Sequence, residues 1–243
     1  MSADRVAVLS IGGFDPSGGA GVLADVKTFE QHSLLGMAVN TANTVQNESE
    51  FASVNWLKEE LIIDQLLMLT KKYDFKALKV GLIPSFDLIE RFRTVLSEVP
   101  IVWDPVLSAS AGFDMEHGLN AFNDVLAKVD LITPNWEEVI RLTDEADGLK
   151  AAQKLAQQTK VLLKGGHNKD KIGVDFLFEN GSIQELNPNS GDFYPKHGSG
   201  CVLSSAIVAN LALGKNLKEA CVLAKAYTAQ FLKSNKTLLG YHQ

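Results

Sequence analysis

The chain is poor in cysteine, in positive charge and in long apolar runs. Only two cysteines, Cys201 and Cys221, occur in 243 residues, both in segments of helical pattern and without metal-ligand spacing. That excludes a disulfide-stapled scaffold and fits free thiols in a reducing compartment. Acidic residues outnumber basic ones, 29 against 23, for a formal charge of -6. Nucleic acid or an anionic membrane as main partner needs a basic face, which this balance does not supply. No apolar run is long enough to span a bilayer, and residues 1–5 lead toward a strand without the basic and apolar blocks of a secretory leader. The expected location is the cytoplasm. There is no internal repeat, low-complexity tract or linker, and the Gly214, Lys215 pair lacks the upstream glycine of a Walker motif. Residues 1–243 are therefore expected to form a single domain.

What the chain does have is rhythm. Short apolar runs predict strands over 6–11, 36–44, 77–80, 101–103, 129–132 and 161–163. Segments of helical period predict helices over 20–32, 58–73, 86–96, 118–127, 136–142, 149–157, 200–212 and 217–234. A later pair, 173–178 and 183–186, is joined by Glu179, Asn180 and Gly181, a hairpin signal. This alternation predicts an α/β fold of three layers, with a mainly parallel central sheet between helices and an antiparallel end.

The unusual residues fall where predicted strands end. Gly12 and Gly13, then Lys79 to Gly81, Asp104 with Pro105, Thr133 to Asn135, and Lys164 to Gly166 all sit at strand C-termini. Those ends share one rim in a parallel sheet, and ligands bind in the crevice outside it. His197, Gly198, Ser199, Gly200 and Cys201 then open directly onto a helical run. Small residues at a helix start let backbone N–H groups converge on an anion, and the helix dipole adds to that field. The same field is expected to favour the Cys201 thiolate.

Competing readings stand beside these. The glycine-rich run 12–21 formally fits a dinucleotide fingerprint at Gly19, Gly21 and Ala24, but Asp25 would then face the pyrophosphate. Asp104, Asn135 and Glu138 are all oxygen donors of the kind Mg²⁺ takes alongside substrate phosphates. Asn135 and Glu138 equally make a capping box, which leaves Asp104 unexplained. Lys164, flanked by Leu163 and two glycines, is expected to project to the rim. Gln46 suits the edge of a heterocycle or the end of a turn with Asn47, and His167 is either a ligand contact or a turn residue. Residues 187–196 form a polar loop just before the anion hole.

With those residues in view, the chain resembles the hydroxymethylpyrimidine and phosphomethylpyrimidine kinases of thiamine biosynthesis, in the ribokinase-like superfamily that also holds pyridoxal kinases. The matching blocks are Asp15 to Gly21 with Ala24, Asp25, Lys27, Thr28 and Phe29, then Lys79 to Leu82, Asp104 to Val106, Thr133 to Asn135 with Glu138, Lys164 to His167, and His197 to Cys201 with Leu203 to Ile207. The resemblance implies a pyrimidine pocket at Gly13, Asp25, Gln46, Leu82 and Val106. It implies ATP at Asp104, Asn135 and Lys164, with Mg²⁺ at Asp104 and Glu138. Cys201 becomes the base, and the Gly198, Ser199 and Gly200 amides hold the transferring phosphoryl group. The chain departs from the usual pattern at Leu82, Ser199 and Val202, where the family commonly has Met, Thr and Thr. Relatives further suggest a homodimer. A pyridoxal kinase and a non-catalytic pyrimidine sensor are the other readings.

Overall fold

Residues of the central strands alternate between two separate apolar clusters, as a sheet covered on both faces requires. Leu9, Ile11, Leu78, Val80, Ile101, Trp103, Val161 and Leu163 point into one cluster, and Val8, Ala77, Val102, Leu131, Leu162 and Leu177 into the other. The computed structural model describes residues 5–107, 115–168 and 171–243. Residues 1–4, expected to lead into the first strand, lie outside the described residues, as do the side chains of 115–120 and of His167.

Among the described residues the strands are β1 (Ala7–Phe14), β2 (Leu35–Gln46), β3 (Phe51–Trp56), β4 (Phe75–Val80), β5 (Ile101–Trp103), β6 (Leu131–Ile132), β7 (Lys160–Leu163), β8 (Asp175–Glu179) and β9 (Ser182–Leu186). They form one sheet in the order β3-β2-β1-β4-β5-β6-β7-β8-β9. The pairings from β2 across to β7 are parallel, and β3, β8 and β9 join antiparallel. The helices are α1 (Gly21–Gln31), α2 (Glu59–Thr70), α3 (Leu88–Val95), α4 (Met115–Leu126), α5 (Trp136–Thr143), α6 (Gly148–Leu155), α7 (Ser199–Ala212) and α8 (Leu217–Lys233). Core residues of α2 to α6 belong to the first cluster and those of α1, α7 and α8 to the second, giving the three layers expected. No helix among the described residues is long and apolar enough to cross a membrane.

One strand escaped the sequence pattern. β3 reads Phe51, Ala52, Ser53, Val54, Asn55, Trp56 with none of the six buried, so its pairing with β2 rests on backbone hydrogen bonds instead of an apolar face. Edge strands of this kind carry no alternation to detect.

Two features position the site. The chain leaves β1 by α1 toward β2 on one face and returns by α2 to β4 on the other, so the strand order reverses beside β1, where α/β sheets bind ligands. α7 is apolar nearly all round, with every residue from Val202 to Asn210 buried, as a helix enclosed in a core must be. Burying each large side chain such as Ile207 contributes about 1.5–3 kcal/mol, which locks the start of this helix against the rim.

Candidate active site

Two glycine turns meet back to back at the rim. Asp15 follows β1 and organises the first: its carboxylate accepts the Ser17 N–H, the Ser17 hydroxyl and the Ala20 N–H, each at 2.9 Å. Gly21 then adopts φ +58, and a side chain there would meet the Gly13 carbonyl at 2.2 Å. The second turn is Gly198, which caps α7 at φ +75 and leaves only 2.0 Å between an added Cβ and the Gly19 carbonyl. His197 ties the turns together, its Nε2 lying 2.8 Å from Asp15 Oδ2, while its backbone N–H donates to the Leu238 carbonyl at 2.9 Å. Burial works against the Asp15 charge, but hydrogen bonds from Ser17, His197 and Ala20 outweigh it and hold the carboxyl below its usual range.

The first intrahelical bond of α7 runs from Val202 N–H to Gly198 O at 3.0 Å, so the N–H groups of Ser199, Gly200 and Cys201 have no partner within the helix. No acidic side chain occupies the first turn. The helix start thus presents unpaired N–H donors, the groups an anion takes, to a cavity of about 750 Å³.

Five charged groups of alternating sign line the cavity floor. Asp25 on α1 receives Lys79 of β4 at 2.7 and 2.8 Å. Asp104, placed after β5, accepts Lys164 Nζ at 2.7 Å and the Thr133 hydroxyl at 3.2 Å. Lys164, at the end of β7, also lies 3.8 Å from Glu138 on α5. Adjacent serines of α7 grip both aspartates: Ser204 donates to Asp104 at 3.2 Å and Ser205 to Asp25 at 2.7 Å. Burial disfavours each charge, but the neighbours prevail, so Asp104 is held low and both lysines are held high.

Several expectations meet this geometry differently. Gly13, Gln46, Leu82, Val106, Asp104, Asn135, Glu138 and Lys164 all line this cavity. Gln46 donates one N–H to the Thr44 hydroxyl at 2.9 Å. Asn135 forms the capping box: its side chain accepts the Glu137 and Glu138 N–H groups at 2.9 Å, and Glu138 accepts the Asn135 N–H at 2.7 Å. The capping-box reading of that pair holds, and Glu138 also faces Lys164 at 3.8 Å. Asp25 also lines the cavity, with its buried carboxylate engaged by Lys79, Ser205 and the Ser10 hydroxyl. The Cys201 thiolate is a correction. Burial pushes the thiol up, and Asp25 and Asp104 push the same way; Lys79 and the Gly21 N–H pull it back without prevailing.

Other contributors went unread. Asp175 and Lys225, both at the cavity wall, pair at 2.5 Å, and Asp175 also accepts the Gly165 N–H at 2.7 Å. Gly165 packs so tightly that an added Cβ would sit 1.9 Å from the Val174 carbonyl. Lys79 did carry a signal: a lysine between Leu78 and Val80 in a strand meant to be buried on both faces demands a counter-charge.

A three-layer, mainly parallel sheet whose rim gathers unpaired helix N–H groups and alternating charges around one cavity matches a small-molecule kinase of the ribokinase-like class. Comparison with known proteins gives the family. A family model described as phosphomethylpyrimidine kinase matches residues 15–243, and the chain belongs to that family. It is 35% identical over 244 residues to the hydroxymethylpyrimidine/phosphomethylpyrimidine kinase of Aquifex aeolicus, covering 95% of each chain. It superposes on an ADP complex of Bacillus subtilis pyridoxal kinase with a TM-score of 0.84 at 30% identity, covering 95% of this chain and 93% of that one. The pyridoxal kinase of Staphylococcus aureus, in complex with AMP-PCP and pyridoxal, gives a TM-score of 0.84 at 27% identity, with 96% and 89% covered. The chain is a kinase, and these nucleotide complexes support ATP as its phosphoryl donor.

Proposed function

We propose that this chain, as a single cytoplasmic domain, phosphorylates 4-amino-5-hydroxymethyl-2-methylpyrimidine and then its monophosphate, using ATP, in thiamine biosynthesis. The observation that carries the reading is the α7 start, whose N–H groups without a helical partner open on the cavity that Gln46, Leu82, Lys164 and Asp175 also line. In the first reaction the hydroxymethyl oxygen attacks the γ-phosphorus, the oxygen–phosphorus bond to ADP breaks, and the proton passes to the Cys201 sulfur. The transfer draws on the thiolate form of Cys201, which burial and the nearby carboxylates make the minority form at neutral pH and Lys79 favours. The Gly198, Ser199 and Gly200 backbone and Lys164 stabilise charge on the moving group. In the second reaction the acceptor is already a phosphate, and little base is needed.

Asp104 and Glu138 form a pair of oxygen donors bridged by the Lys164 ammonium. That set fits Mg²⁺, which keeps most of its waters and takes few protein ligands beside nucleotide phosphates. Asp104 and Glu138 would hold it, and when bound it neutralises phosphate charge.

The pyridoxal kinase neighbours keep pyridoxal as the second reading. ADP release measured with the pyrimidine, its monophosphate and pyridoxal in parallel tests both. Turnover of the two pyrimidines above pyridoxal supports the proposal; pyridoxal alone refutes it, and no turnover with any favours a sensor. A homodimer belongs to the same reading, checked by light scattering of the full chain.

A further inference from the structure

Lys79 stands where a lysine is expensive. Its side chain is 1% exposed, in a central strand, against an Asp25 that is 0% exposed. Ser10 and Ser205 occupy remaining acceptor sites of Asp25 at 2.6 and 2.7 Å, so the carboxylate is nearly saturated. A buried ion pair is often no more stabilising than apolar side chains of equal volume. Its presence here therefore calls for a reason other than stability, and position supplies one. The pair lies in the cavity wall with Cys201, and Ser205, which holds Asp25, stands one turn beyond Cys201 on the same face of α7.

We propose that Lys79 is a positioning residue for phosphoryl transfer: its ammonium, anchored by Asp25, is the fixed positive charge beneath Cys201 and the anion hole. It does so without touching substrate, since almost none of its surface is open. The groups acting on the sulfur come from every side. Asp25 and the Gly21 N–H come from α1, Lys79 from β4, Asp104 from the end of β5 and Lys164 from the end of β7. The carboxylates disfavour a thiolate and the lysines favour it. Removing Lys79 leaves Asp25 and Asp104 facing the sulfur with Lys164 as their counterweight.

The inference rests on Cys201 as proton acceptor, but its test reads the thiol and not turnover. The full chain is alkylated with iodoacetamide across a pH series, and labelling of Cys201 and of the buried Cys221 is followed by peptide mass spectrometry. Lys79→Met should raise the pH midpoint of Cys201 labelling by about one unit, as loss of a nearby opposite charge does. Asp25→Asn combined with Lys79→Met removes both charges, keeps the core neutral, and should shift the midpoint the same way by less. Ser205→Ala loosens Asp25 without changing charge and should leave the midpoint in place. Labelling of Cys221 reports unfolding, so if Lys79→Met does not fold the double variant decides. A wild-type midpoint in the folded double variant overturns the proposal, as does an equal shift in Ser205→Ala. If Cys201→Ala keeps full kinase activity, the base assignment fails instead, and the midpoint shift stays readable.

Discussion

Replacing Gly198 with alanine tests the anion hole at its narrowest point. The residue sits at φ +75, and an added Cβ would lie 2.0 Å from the Gly19 carbonyl oxygen. Carbon and oxygen normally approach to about 3.3 Å, so one turn must retreat by roughly 1.3 Å. The left-handed backbone adds about 1–2 kcal/mol of its own. A displacement of about 1 Å at a reacting centre costs on the order of 100-fold in rate. Gly214 separates these terms, because it has φ +82 but nothing within 4 Å of an added Cβ. Gly214→Ala should bear only the backbone cost, lowering Tm by about 2–4 °C per kcal/mol for a chain of this size, with kcat unchanged. Gly198→Ala should lose at least as much Tm and about 100-fold in kcat. Steady-state ADP release and thermal melts of the two variants decide the matter. Wild-type kcat in Gly198→Ala would refute the argument, and so would an equal loss of kcat in Gly214→Ala.

Three further outcomes follow from the same contacts. Cys201→Ala should slow phosphorylation of the hydroxymethyl substrate more than that of its monophosphate; equal loss in paired assays would contradict the assigned proton acceptor. Asp15→Asn should lower Tm at neutral pH and reduce kcat by releasing His197. Because the Asp15 carboxyl is held low, its contribution is complete above its ordinary value of 3.8 and fades as pH falls through the folded value, so the variant should show a shallower acid limb in pH-dependent melts. His242, pressed down to about 4 by burial and by Lys27, gives the same sign in another window. Its stabilisation is full above pH 6.5 and drains away toward pH 4, so His242→Phe should flatten the Tm profile over that range.

The layered sheet was legible because buried parallel strands such as Val6 to Ile11 and Val161 to Leu163 are apolar on both faces, and their glycine and proline ends mark the rim. β3 was hidden because its stability comes from backbone pairing with β2. Within the site, the helix start at Gly198 could be read from residue size alone. The partners of Asp25 could not: the resemblance put it at the pocket, but they come from β1, β4 and α7, and only the folded chain brings Ser10, Lys79 and Ser205 together. The Cys201 thiol shows the same limit. A helix dipole is a local property visible in sequence, but desolvation and two distant carboxylates are not, and here they win.

The hydrogen bond from His197 to Leu238 joins the turn before α7 to residues beyond α8, while Gly198 leans on Gly19 near the first strand. Such sequence-distant closures form late, because loop entropy must be met before they reward it. Refolding chains should therefore regain secondary structure before they regain turnover, and a single protease cut between Asn235 and Leu239 should silence an otherwise well-formed sheet.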